Sequence, residues 1–217
     1  MAGVAMSRTS RDGLMVLLAL TTGAVDATAF ERLGKVFASV ITGNLVLLGV
    51  SAARPDGRAA LLAGVALVAY AVGVLAAAPR RSDGSEEPRG WPRAARAALA
   101  GDLVLLIALS VGWELSGGRP GQAVQPLLLA AAASAMGIQS AAVRRLGPMS
   151  TTYLTSTFIG VWEAVAARRW STEENRSVAI LAAALVGAAG ATALILGAPR
   201  VLPVLVLAPP GVVLAAS

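Results

Sequence analysis

Residues 13–32, GLMVLLALTTGAVDATAFER, decide the fold. The stretch is almost wholly apolar and matches the roughly 20 residues that a helix needs to cross the hydrocarbon core of a bilayer. It therefore predicts a transmembrane helix. Within it lies an acid, Asp26, whose insertion at such a depth costs about 2.5–3.5 kcal/mol. We expect this side chain to face a bundle interior or a wet cavity rather than lipid.

The composition of the whole chain also indicates a membrane protein. Of its 217 residues, 56% are hydrophobic and 14% charged, and the mean hydropathy is +0.72, whereas soluble domains carry about 25% charged residues. The arginines behind the net charge of +6 flank apolar runs, so we expect no nucleic-acid partner. The sequence has no Cys and no His, which excludes disulfides, thiolate metal sites and histidine general bases. We expect no cofactor, no metal site and no enzymatic activity.

The apolar pattern predicts an all-α, polytopic transmembrane bundle that forms one integral membrane domain over residues 1–217. Seven helices are predicted, at 13–32, 36–53, 59–78, 94–115, 122–145, 150–167 and 174–198. A hydrophilic linker, 79–93, precedes the fourth helix. The apolar tail, 201–214, is short and interrupted by prolines, so we expect an interfacial or partly inserted segment rather than an eighth span.

Two questions about the membrane arrangement stay open at this stage. Ala27-Thr28-Ala29 has the small-x-small form of a signal-peptide cleavage site, although Asp26 would lie unusually close to the cut. With seven spans, the loops on the two sides carry similar numbers of arginines, so orientation is undecided. We lean towards a cytoplasmic position for the linker region 80–96.

An internal repeat is suggested by a shift of 113 residues. The shift superposes Arg32-Leu33-Gly34 on Arg145-Leu146-Gly147, Thr42 on Thr155, and Asp26 on Gln139. The repeat halves would be 13–78 and 122–198, joined by the linker and the helix at 94–115. Helices 1 and 5 would run in the same direction, which makes the repeat parallel.

The repeat predicts a polar site between the halves. The residues expected to bind a substrate there are Asp26, Thr42, Asn44, Gln139, Thr151 and Thr155. Their carboxylate, amides and hydroxyls suit solute binding, and they suit helix-to-helix hydrogen bonding equally well. Glycines expected to permit close packing are Gly23, Gly34, Gly43, Gly137 and Gly147.

Several motifs carry a resemblance to a known family. The first half contains Gly23-Ala24-Val25-Asp26-Ala27, Gly34-Lys35-Val36-Phe37 and Thr42-Gly43-Asn44-Leu45. The second half contains Met136-Gly137-Ile138-Gln139, Arg144-Arg145-Leu146-Gly147 and Thr151-Thr152-Tyr153-Leu154-Thr155. In this order they resemble the YoaK-like family of bacterial membrane proteins, a family of unknown function. The chain departs from the pattern at Ser156-Thr157, where the family often has a glycine. The resemblance implies a polytopic inner-membrane protein and no particular activity.

Three functions follow from these observations. A small-solute transporter or channel is favoured, because the shift aligns polar residues as well as apolar ones. A non-transporting scaffold or signalling subunit is the alternative, and a membrane-embedded enzyme is disfavoured by the lack of His and Cys and the single Lys35. The expected partners are the lipid bilayer and a small solute. A homo-oligomer stays open, because the stripe of Ala183, Gly187 and Ala191 suits either internal packing or a dimer seam.

Overall fold

The computed structural model describes residues 8–78, 93–144 and 154–216, and these form an all-α bundle. The described residues make eight α-helices, where the sequence predicted seven: α1 Arg8–Arg32, α2 Ile41–Ala53, α3 Gly57–Ala76, α4 Arg93–Leu115, α5 Gln125–Arg144, α6 Leu154–Ala166, α7 Thr172–Gly197 and α8 Leu202–Ala216. Six of them, α1, α3, α4, α5, α7 and α8, are long and apolar enough to cross a membrane.

Helix α2 is shorter than predicted. The chain does not continue as a helix from residue 36, because Gly34 and Lys35 adopt left-handed φ angles of 111° and 61° and turn the backbone after α1. Helix α2 begins only at Ile41 and has 13 residues, or about 20 Å of length. A hydrocarbon core of about 30 Å is too thick for it. Helix α6 has the same length, and the predicted start of that helix, 150–153, lies outside the described residues.

The C-terminal apolar segment is a helix of the bundle, which corrects the expectation of an interfacial tail. Helix α8 packs against α1 and α4 and buries Leu202, Val206 and Val213. Pro209 and Pro210 lie inside this helix and are buried as well. Prolines are tolerated in membrane helices where neighbouring helices and local adjustments satisfy the freed carbonyl groups.

Two pairs of long helices run side by side in the same direction. Asp12 and Arg176 form an ion pair of 2.8 Å between the beginnings of α1 and α7, and Gly23 and Gly187 bring the middles of these helices together. Likewise, Arg58 near the start of α3 donates to the side chain of Gln125 at the start of α5. Gly73 and Gly137 then bring the middles of α3 and α5 together.

Helices α1 and α5 run in opposite directions, so the prediction of a shared direction was wrong. The turn after α1 lies beside the start of α3, because a Cβ added to Gly34 would lie 2.2 Å from Leu62 Cδ1. Helix α3 therefore returns in the direction opposite to α1, and α5 follows α3. The physical reason is the segment 33–56, which contains the short α2 and returns to the side of the bundle at which α1 ends instead of crossing it.

The helices group into two bundles. The first, the α1 bundle, contains α1, α6, α7 and α8, with the most extensive packing between α1 and α7. The second, the α5 bundle, contains α2, α3, α4 and α5, with the most extensive packing between α3 and α5. Between the bundles, α4 packs against α8 and α1 makes a smaller contact with α5. We call these two contacts the seam.

Candidate functional site

Asp26 and Asn44 fix the backbone that connects α1 to α2. The Asp26 carboxylate accepts hydrogen bonds from the backbone amides of Ala38 and Ser39, both at 2.8 Å, and from the Ser39 hydroxyl. The Asn44 side chain accepts a bond from the amide of Phe37 and donates one to its carbonyl. Because α1 and α2 belong to different bundles, these residues clasp a connection between the bundles.

The neighbouring motif residues contribute through backbone shape. We call the contacts of Asp26 and Asn44 with residues 37–39 the clasp. Thr42 is exposed on α2 and is not part of the clasp. A Cβ added to Gly43 would lie 3.3 Å from both the Phe37 ring and the Val40 side chain, so a larger residue would press on the clasped segment.

Gln139 lies at the seam, apart from the clasp. Its Nε2 donates to Oγ1 of Thr22 at 2.8 Å and to the carbonyl of Leu18 at 3.3 Å, and the residue is fully buried. Asp26 stands one helical turn after Thr22 on α1 and bonds to the loop after its own helix. The structure thus places the predicted dyad of Asp26 and Gln139 at two separate sets of protein partners instead of across a shared hollow.

The remaining predicted residues of the second half stay apart from these two. Thr155 is exposed at the start of α6. Thr151 and Gly147 lie outside the described residues. Within the described part of the chain, no group of three acidic, His or Cys residues could hold a metal ion.

Four glycines allow backbones to meet inside the bundles. A Cβ added to Gly23 would lie 1.9 Å from the Ala184 carbonyl oxygen, and one added to Gly137 would lie 2.2 Å from that of Tyr70. Gly187 meets the carbonyl of Leu20 at 2.0 Å, and Gly73 meets that of Ser134 at 2.1 Å. Any side chain at these positions would collide with backbone, which only glycine avoids. Sequence reasoning missed Gly73 as a close-packing glycine. The sequence did contain a signal for it, because Gly73 and Gly187 are 114 residues apart, as are Gly23 and Gly137.

Asp102 is the acid that the sequence-based site left out. It is fully buried in α4, and both carboxylate oxygens lack a hydrogen-bond partner among the described residues. Its position in the middle of an apolar span was visible in the sequence. The sequence does not show that Asp102 is buried and without a partner, because both properties depend on which face of α4 meets α5 and α8.

The described cavities lie away from Asp26, Asn44 and Gln139. One is an open groove of about 630 Å³ at α6 and the start of α7, lined by polar residues that include Glu163, Arg168, Arg169 and Glu174. Another is an apolar void of about 10 Å³ beside Trp113, between α4, α8 and α1.

Comparison with known proteins gives a family but no solved relative. The model of the family described as "Protein of unknown function (DUF1275)" matches residues 14–217. The UPF0700 transmembrane protein YoaK of Bacillus subtilis (strain 168) is 32% identical over 169 residues, which cover 77% of this chain and 72% of that protein. No solved structure matches the chain.

Proposed function

Since this chain belongs to the DUF1275 family of transmembrane proteins, we propose that it is a carrier for a small polar solute in the bacterial cytoplasmic membrane. The solute would pass along the seam as the α1 bundle rocks against the α5 bundle. The proposal includes no catalytic step. It replaces the parallel arrangement expected from the sequence with two inverted halves, α1–α4 and α5–α8, of three long helices and one short helix each.

The observation that carries the proposal is the matched set of glycine contacts. Each glycine and each carbonyl in the α1–α7 contact has a counterpart 114 residues away in the α3–α5 contact: Gly23 with Gly137, Leu20 with Ser134, Gly187 with Gly73, and Ala184 with Tyr70. The corresponding helices run in opposite directions. Inverted repeats of this kind are the common architecture of carriers that alternate access to a central site.

This register changes the expected counterparts between the halves. The short helices α2 and α6 correspond at a shift of 113, because Ile41–Ala53 and Leu154–Ala166 have equal lengths and matching ends. The long helices correspond at 114, which pairs Asp26 with Ser140 instead of Gln139. A one-residue offset rotates a helical position by about 100°, so the pairing by simple shift joined residues on different faces.

The packing is consistent with two bodies joined by a non-helical connection. Within each bundle, backbones meet at glycines. At the seam the α1–α5 contact is small, while the α4–α8 contact is about as extensive as that between α1 and α8. The segment that joins α1 to α2 is non-helical, and Asp26 and Asn44 hold it by hydrogen bonds that a rotation of the bundles would have to exchange. A few residues of non-helical backbone can absorb the rotation of such bodies.

The scaffold alternative rests on a specific observation. The side chains of Asp26 and Asn44 form hydrogen bonds within the protein. Neither of the two described cavities lies beside them. A scaffold that does not move would be expected to have buried polar groups that are hydrogen-bonded within the protein, and it would need no cavity for a solute. The two functions differ in one property, which is whether buried seam residues ever meet water.

Cysteine accessibility distinguishes these functions, and the chain suits the method because it has no native Cys. Thr22→Cys places a thiol at the seam, where Thr22 is 2% exposed. Ala66→Cys is the matched control, because Ala66 is fully buried in α3, whose extensive contacts are with α2 and α5 of the same bundle. Each variant is treated with a membrane-impermeant maleimide in right-side-out and in inverted vesicles.

A rocking carrier predicts that Thr22→Cys reacts from both faces of the membrane while Ala66→Cys stays unmodified. If Thr22→Cys resists the reagent from both faces as completely as the control does, the carrier proposal is wrong and the scaffold is favoured. Loss of folding is recognised separately, because an unfolded Thr22→Cys protein would lose its helical circular dichroism.

A further inference from the structure

Asp102 lies near the middle of the membrane-spanning part of α4. It is the tenth of 23 helical residues, about 14 Å from the beginning of a helix about 35 Å long. On the same face, Leu99 lies one turn before it and Leu106 one turn after it, and both are buried. Leu99 and Leu106 belong to two different clusters of the apolar core. Asp102 therefore lies between these two clusters along the length of α4.

No charged group compensates Asp102 from the helices packed against it. In the described structure these are α5 and α8. Helix α8 contains no titratable residue, and α5 contains Arg144 alone, in its last turn. The α5 residue beside this level is Ile138, whose Cδ1 lies 3.8 Å from a Cβ added to Gly101. Arg144 is six residues further on, or about 9 Å along the axis. On α4 itself, Arg93, Arg96 and Glu114 lie nearer the helix ends.

We propose that Asp102 is the proton-binding site of the carrier, so that solute movement is coupled to protonation of this carboxyl group. The inference rests on the proposed function. In the closed arrangement the carboxyl holds the proton. When the seam opens to one side, the proton leaves to water on that side and the carboxylate remains; it is protonated again before the bundles close. Release and uptake then exchange protons with the same side, so no net proton crosses the membrane; protonation of Asp102 decides whether the seam can close.

The proton is the ligand that this environment can hold. A metal cation in a protein takes several oxygen ligands, whereas the residues flanking Asp102 on its face are leucines, and its carboxylate oxygens have no hydrogen-bond partner among the described residues. An ionised carboxylate there would be buried without a donor, which is among the most costly arrangements in a membrane. A neutral carboxylic acid carries no charge, and its unpaired hydroxyl group costs far less to bury than an ionised carboxylate. Closing of the seam therefore requires the protonated form, and this requirement supplies the coupling.

The test uses two readouts on the full chain in lipid nanodiscs and vesicles. Infrared difference spectra in H2O and D2O report the C=O stretch of a protonated carboxylic acid. Wild type is compared with Asp102→Asn and with Glu114→Gln, a control that removes an exposed acid of the same helix. The second readout is maleimide labelling of Thr22→Cys in each background as a function of pH. Asp102→Glu serves as a second variant that keeps the acid.

We expect an infrared band that disappears in Asp102→Asn and persists in Glu114→Gln. Labelling of Thr22→Cys should change by about tenfold across the pH range, as a shifted two-state equilibrium requires. The change should vanish in Asp102→Asn and persist in Asp102→Glu. A spectrum without a band specific to Asp102 would overturn the proton site. Labelling from both faces that ignores pH would overturn the coupling and leave the carrier standing. If the infrared band is present but Thr22→Cys is not labelled at any pH, the carrier proposal is wrong.

Discussion

Gln139 of α5 donates a hydrogen bond from Nε2 to Oγ1 of Thr22 in α1 over 2.8 Å, and both side chains are buried. The bond crosses the seam between the two bundles. At the other contact of the seam, Trp113 Nε1 of α4 donates to the Pro199 carbonyl just before α8, also over 2.8 Å. These polar links hold together surfaces that otherwise meet through apolar side chains, and they are bonds that a rocking motion would have to exchange.

The clasp at Asp26 predicts a large loss of stability when its acceptor is removed. Asp26→Ala leaves three donors without their carboxylate, and each hydrogen bond to a charged group contributes about 1.5–3 kcal/mol. We expect the free energy of unfolding to fall by at least about 2 kcal/mol. Thermal unfolding in detergent measures this. The matched control is Glu31→Ala, which removes an exposed ion pair with Lys35 worth about 0–1 kcal/mol. Equal effects of the two substitutions would contradict the structural role of the clasp.

The glycine contacts predict that one added methyl group is damaging at specific positions. Gly23→Ala and Gly137→Ala push a Cβ into a backbone carbonyl, and overpacking of this kind costs about 1–3 kcal/mol or more. Gly64→Ala is the control, because its Cβ would meet open space in the middle of α3, where alanine favours a helix by about 1 kcal/mol. Unfolding temperatures of the three variants test this. A Gly137→Ala protein as stable as Gly64→Ala would refute the close approach of α3 and α5.

The bond between Trp113 and Pro199 predicts a selective effect of removing one hydrogen-bond donor. Trp113→Phe keeps most of the buried ring area and loses the donor to the Pro199 carbonyl; we expect a cost of about 1 kcal/mol. Trp162→Phe is the control, because Trp162 is 58% exposed on α6 and such surface changes stay within about 0.5 kcal/mol. Chemical unfolding followed by circular dichroism compares the two. A control variant that is the less stable of the two would argue against the seam contact.

The helix directions predict the orientation that the sequence left open. The start of α1, the end of α3, the start of α4, the end of α5 and the end of α8 lie on one side of the bundle, together with the connection from α6 to α7. Twelve of the 18 basic residues adjoin this side along the sequence: 8, 11, 80, 81, 89, 93, 96, 144, 145, 168, 169 and 176. The other six are at 32, 35, 54, 58, 119 and 200. Cytoplasmic loops are enriched in Arg and Lys, so we expect the twelve to be cytoplasmic.

Reporter fusions check this orientation. A fluorescent protein joined after α8 should fluoresce, and alkaline phosphatase joined there should be inactive. In the loop between α4 and α5, at Gly121, an inserted phosphatase should be active. The reverse pattern of activities would show that the charge rule was applied to the wrong side, and activity at both sites would contradict the helix directions themselves.

Hydropathy predicted the all-α class and five of the six long helices, because length and apolar character alone identify a span. Hydropathy wrongly predicted a helix at 36–40. There the backbone amides of Ala38 and Ser39 donate hydrogen bonds to the Asp26 carboxylate, which competes with helix formation. It also failed at α8, because Pro209 and Pro210 discouraged a helix that packing against α1 and α4 stabilises. These are effects of tertiary contacts, which a local pattern does not contain.

The expected meeting of Asp26 and Gln139 across a shared hollow differs from the structure for a related reason. The direction of α5 depends on whether α2 crosses the membrane, and the single non-helical segment before α2 reversed the expected topology. Asp26 and Gln139 then came to face different partners. Asp102 is visible in the sequence as an acid within a span, but only the packing of α4 on α5 and α8 shows that it is buried without a donor among the described residues.

Distances between spin labels test the motion of the two bundles most directly. Three exposed glycines with open space around them lie on one side of the bundle: Gly57 at the start of α3, Gly121 before α5 and Gly197 at the end of α7. Their replacement by Cys in this cysteine-free chain gives two label pairs. Gly57→Cys with Gly197→Cys reports across the bundles, and Gly57→Cys with Gly121→Cys reports within the α5 bundle.

Double electron–electron resonance in lipid nanodiscs should give a single narrow distance for the pair within the α5 bundle. For the pair across the bundles it should give two distances whose proportions change with pH. If the pair across the bundles shows one distance, as narrow as the control and unchanged by pH, the two bundles do not move and the carrier account is contradicted.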